Sequence, residues 1–130
     1  MTPVNFKKEV LGTLDSTLQK VTVALQAGGF GILTRIDFHD KIKEKLNKEV
    51  EPTIFLGACN PQIAYDIFQI DKNITSLMPC NVVLRQVTPN RISVEVASPI
   101  AMVKMLGDSS LEKIGANAET KLRAILENIN

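Results

Sequence analysis

The sequence holds one histidine, two cysteines and no long block of like charge or apolar residues, and each shortage excludes a class of function. His39 alone cannot build a multi-histidine zinc site or a histidine-centred catalytic constellation. Cys59 and Cys80 are too far apart in sequence to form a CxxC motif. Fifteen basic and 14 acidic residues leave a net charge of +1, with neither sign concentrated, so the counterion-release footprint of a nucleic-acid binder is missing. No stretch approaches the ~18 apolar residues of a membrane span, and the first residues lack the apolar run of a signal peptide. These readings predict a soluble, cytoplasmic protein with no membrane partner and no nucleic-acid partner. Thiols in that compartment stay reduced, so the two cysteines are expected as a dithiol rather than a structural disulfide. No repeat, low-complexity tract or linker is present. Gly28-Gly29-Phe30-Gly31 lies between a helix and a strand, the reverse of the order that aims amides at phosphate, which excludes a nucleotide loop.

What is present specifies a fold. The length suits one domain spanning residues 1–130, which buries roughly two-thirds of its unfolded surface. Val4, Phe6 and Val10 alternate with polar residues as a half-buried strand ending at Gly12. Leu14, Leu18, Val21 and Leu25 form a helical stripe, capped by Thr13 or Asp15 and stopped by Gly28-Gly29. Phe30, Ile32, Ile36 and Phe38 repeat with period two, and residues 40–48 read as a solvated amphipathic helix, with His39 as a surface or capping residue. The unbroken apolar run Thr53 to Cys59 suits a central strand. Asn60-Pro61 then opens a helix whose buried stripe is Ile63, Ile67 and Ile70. A strand from Cys80 pairs with Ile92 to Val96 across a Pro89-Asn90 turn. Ser98-Pro99 opens a short helix, and Ser109 and Glu112 have capping-box spacing ahead of a last helix through Ile129. The expected product is an α+β fold: one mixed sheet of about five strands with helices packed on it.

The distinctive positions cluster at strand ends. Cys59 and Cys80 are each followed by asparagine, Asn60 and Asn81, and each lies beside a proline. Cys59 precedes a helix N-terminus, where free amides can lower a thiol pKa, although free cysteine is most often a packing residue. Met78, with Met102 or Met105, could add soft sulfur ligands suited to Cu(I). The ordered motifs Gly29-Phe30-Gly31-Ile32-Leu33-Thr34, Leu56-Gly57-Ala58-Cys59-Asn60-Pro61 with Ala64-Tyr65, and Leu77-Met78-Pro79-Cys80-Asn81-Val82-Val83 resemble the bacterial and archaeal family catalogued as domain of unknown function 302. That resemblance covers nearly the whole chain and implies a compact α/β sheet domain without an established activity. It also implies two departures. Arg35 stands where many members carry an acidic residue, and Ser98-Pro99 where they carry Asp-Pro, so a carboxylate mechanism would be lost here. Asp37, Cys59, Asn60, Cys80 and Asn81 remain as candidate ligand-binding residues.

Three function classes fit these features. The leading one is non-enzymatic binding or sensing of a small ligand, of a class and cofactor the motifs do not specify, where Cys59, Asn60, Cys80 and Asn81 converge. The alternatives are thiol redox or soft-metal chemistry at Cys59 and Cys80, and a structural homo-oligomer.

Overall fold

The computed structural model describes residues 3–130. Among these, β1 (Asn5–Leu11), β2 (Gly31–Asp37), β3 (Thr53–Cys59), β4 (Cys80–Thr88) and β5 (Arg91–Ala97) form one sheet in the order β1-β5-β4-β3-β2. The helices are α1 (Leu14–Ala27), α2 (Phe38–Leu46), α3 (Pro61–Ile70), α4 (Pro99–Leu106) and α5 (Glu112–Glu127), with 3-10 turns at Lys72–Leu77 and Ser109–Leu111. The α+β class and the five-stranded sheet are as the residues specify. The sheet, however, is antiparallel at every pairing rather than mixed. A single crossover helix would return the chain to the far end of the sheet and make a parallel neighbour. Here α3 runs out and the 3-10 turn after it runs back, so β4 starts where β3 ended, with Cys80 opposite Ala58.

One face of the sheet carries the core. Phe6 and Val10 of β1, Ile54, Leu56 and Ala58 of β3, Val82 and Leu84 of β4, and Ile92, Val94 and Val96 of β5 pack against Val21 and Leu25 of α1 and Leu122, Ile125 and Leu126 of α5. Period-two spacing on the strands and 3.6-residue spacing on the helices put these side chains on facing surfaces. The predicted caps form where the residues offer an oxygen at the right offset. Thr13 closes a capping box with Ser16, Asn60 accepts from the Ile63 amide at 3.1 Å, and Ser98 accepts from the Ala101 amide at 3.1 Å. Gly29 follows α1 at φ +86°, a left-handed turn that an L side chain rarely adopts.

Four local expectations are corrected. The period of β2 breaks at a bulge between Ile32 and Thr34: Ile32 opposes core-facing Ala58, whereas Ile36 opposes Phe55 on the other face and is 47% exposed. Helix α2 begins at Phe38 rather than residue 40, because the Phe38 ring stacks on Phe55 with centroids 4.9 Å apart. His39 is neither free nor a cap; its Nδ1 accepts from the Thr53 amide at 2.9 Å and ties α2 to β3. Ser109 and Glu112 make no capping box, since Asp108 accepts from the Ser110 amide at 2.9 Å and starts a 3-10 turn that runs directly into α5.

Candidate functional site

The end of the sheet where β3 stops and β4 starts opens into a cavity of about 80 Å³. Its floor is Ala58, Cys59 and Cys80; its walls are Phe30, Ile63, Ala64 and Ile67 from α3 and the residue before β2, Ile74, Leu77 and Met78 from the 3-10 turn, and Met102, Val103, Ala118 and Leu122 from α4 and α5. Almost every group here is hydrocarbon or sulfur. The cavity exists because α3 does not settle onto the sheet. Ile63 and Ile67 are only half-buried and none of α3's residues is fully buried. Ile70, expected to complete the buried stripe, is 44% exposed, because the chain leaves α3 for the 3-10 turn there.

Of the five candidate residues, three reach this place. Cys59 and Cys80 lie on its floor and Asn60 at its rim, where the Asn60 side chain is committed to capping α3. Asn81 does not join them: it opposes Gly57, and pleat alternation turns it to the face opposite Cys80, where it is exposed. Asp37 is at the other end of the sheet. It opposes Ile54, five residues from Cys59 along β3, roughly 17 Å at the usual strand rise, and its carboxylate holds Arg35 Nε at 2.9 Å. Of the methionines proposed as soft ligands, Met78 and Met102 line the cavity, and Met105 is 69% exposed elsewhere. Among the described residues no group of three or more His, Cys, Asp and Glu could hold a metal.

The thiols are free. In register Cys80 opposes Ala58 rather than Cys59, so neighbouring backbone does not bring the two sulfurs directly across from each other. Burial pushes the Cys80 thiol up to about 12, and it donates to the Ala97 carbonyl at 3.6 Å. A raised pKa disfavours the thiolate that a resolving cysteine would supply. The thiol therefore behaves as apolar floor.

Two neighbouring features hold the cavity's frame. A Cβ on Gly57 would lie 2.4 Å from Thr34 Oγ1 and 2.7 Å from Pro79 Cγ, so only glycine lets the segment leading into β4 lie this close to β3. Beneath α4, Glu119 of α5 accepts from Ser98 Oγ, the Ile100 amide at 3.3 Å and Arg123 Nε at 3.0 Å. Burial alone would raise the Glu119 pKa, but these hydrogen bonds and the Arg123 charge together outweigh it and hold the carboxyl below its ordinary range. Serine at 98 donates to this carboxylate; aspartate there would oppose it with like charge. The lining contributed by Phe30, Ile74, Val103 and Leu122 escaped the sequence reading, because these residues come from four separate segments whose local patterns signal only core. The one available signal was α3's apolar stripe beside small Ala64.

A family model described as Domain of unknown function DUF302 matches residues 6–129. The chain is also similar to a crystal structure of an uncharacterized conserved protein DUF302 from Bacillus stearothermophilus, at 25% identity and TM-score 0.93, covering 99% of this chain and 100% of that one. No curated protein matches the sequence significantly.

Proposed function

The chain belongs to the DUF302 family, and from that premise we propose that it binds a small apolar ligand, without catalysis, in the cavity between α3 and the Cys59–Cys80 end of the sheet. The observation that carries this reading is the pairing of an apolar wall with a covering helix that buries none of its own residues fully. An empty apolar void costs packing energy, and a guest that fills it recovers about 0.8 kcal/mol per buried methylene. At about 80 Å³ the space is roughly half that of an engineered cavity that takes benzene, so it fits a guest of a few heavy atoms or the end of a short alkyl chain. The wall offers no charged group and no carboxylate pair. Its titratable groups are the two thiols, one of which stays protonated. That composition supports retention rather than acid–base chemistry.

Methyl NMR of the untagged protein titrated with 1-pentanol tests this. Saturable shifts are expected at Ile63, Ile67 and Met102, lost in Ala64→Leu, which fills the space from α3. Met102→Ala, which enlarges it, should bind the same probe more tightly. Absence of saturable shifts at these methyls, or unchanged binding in a folded Ala64→Leu protein, would overturn the proposal. Native mass spectrometry of protein purified without chelator then reports the resident: retained organic mass supports the reading, and a retained metal would replace it with sulfur ligation by Met78, Cys80 and Met102.

A further inference from the structure

Of the side chains that line the cavity, Asn60 alone carries a nitrogen or oxygen atom. The two ends of its amide are used differently. Oδ1 accepts from the Ile63 amide at 3.1 Å, which fixes the way the side chain points. Nδ2 is thereby turned towards Gly29 and lies 3.2 Å from where a Cβ on that residue would sit. Glycine at 29 makes the left-handed turn at φ +86°, and it also leaves this nitrogen uncovered. Among the described residues no protein group accepts from Nδ2. A side-chain amide nitrogen thus stands with its N–H donors unused at the rim of a wall that is otherwise hydrocarbon and sulfur.

Resting on the apolar-cavity reading above, we infer that the guest is a short aliphatic chain bearing one neutral carbonyl, an aldehyde or ketone of a few carbons, with its oxygen on Asn60 Nδ2 and its hydrocarbon between α3 and the sheet. A carbonyl oxygen accepts from Nδ2 and brings no donor of its own. A hydroxyl would bring a proton, and the only side-chain oxygen in the wall is the Oδ1 already engaged by Ile63. An ammonium or carboxylate would carry a full charge into a lining that holds no counter-charge. An alkane would fill the space and leave Nδ2 to water. One amide therefore serves twice: its oxygen caps α3, and its nitrogen chooses what α3 covers.

NMR with a matched pair of guests tests this. 2-Butanone carries the carbonyl, and 2-methyl-1-butene has the same shape with a methylene group in place of the oxygen. Both should shift the Ile63, Ile67 and Met102 methyls of the wild type saturably, and only 2-butanone should shift the Asn60 side-chain amide. Asn60→Asp and Asn60→Ser each keep a capping oxygen for Ile63 and remove the amide donor, and the urea midpoint reports that each still folds. Each change is expected to weaken 2-butanone binding about 5-fold or more and to leave 2-methyl-1-butene within about 2-fold. Equal losses of both guests, 2-butanone binding unchanged in both variants, or an Asn60 amide that does not respond would each overturn this inference and leave the cavity reading standing. If neither guest moves the wild-type methyls, both fall.

Discussion

Helices α3 and α5 have similar apolar stripes and lie on the same side of the sheet, yet they are held very differently. Helix α5 sinks Ala118, Leu122, Ile125 and Leu126 into the core and binds α4 through Glu119. Helix α3 keeps Tyr65 61% exposed and Ile70 44% exposed, and spans a void instead of filling it. Apolar spacing alone therefore does not measure burial. What separates the two is connectivity: α5 is long enough to cross the strands, whereas α3 belongs to a short out-and-back excursion that must return to the end of β3.

Truncating the stripes should break the pair apart most visibly. Leu122→Ala is expected to cost about 3 kcal/mol in urea unfolding and Ile67→Ala about 1 kcal/mol or less, because only the first empties a packed site. Equal losses would show that α3 is as well packed as α5. Next in size, Glu119→Gln should cost about 2 kcal/mol at neutral pH, since the buried Ser98 hydroxyl and the half-buried Ile100 amide lose a charged acceptor. The wild-type carboxyl titrates below its unfolded value, so its contribution is present above the ordinary carboxylate range and is lost as pH falls through the depressed folded value. The gap between wild type and variant should therefore narrow in acid. A gap that stays constant would mean that the carboxylate's charge plays no part. A last effect, read only in alkali, concerns the cavity floor. Cys80 keeps its proton in the folded state up to about 12, so stability should fall as pH rises above the ordinary 9.0, by about 1.4 kcal/mol per pH unit. Cys80→Val should flatten that alkaline slope relative to wild type. An unchanged slope would show the thiol to be hydrated.

The same comparison explains what could be read from residues alone. Thr13, Asn60 and Ser98 announce their helices because capping is a local bond between residues three apart, and the strand β3 announces itself as an unbroken apolar run. Strand direction was not legible, because it depends on where a connecting segment returns, and neither was the parity change at Leu33, because one extra residue in β2 is visible only against the register of β3. The site was half legible. Cys59, Asn60 and Cys80 come together since their strand ends adjoin, but Asn81 is turned away by the pleat and Asp37 lies at the far end of its strand.

The sheet order has a consequence for how the protein is made. Of the five described strands the ribosome releases β1 first, yet its partner β5 is the last of the five to emerge, with Phe6 opposite Val96. During synthesis Phe6 and Val10 have no place to go, while the local β4–β5 hairpin can close as soon as its turn appears. Of the five strands the first made is thus among the last to be seated, and the nascent chain carries the apolar side of β1 uncovered until then.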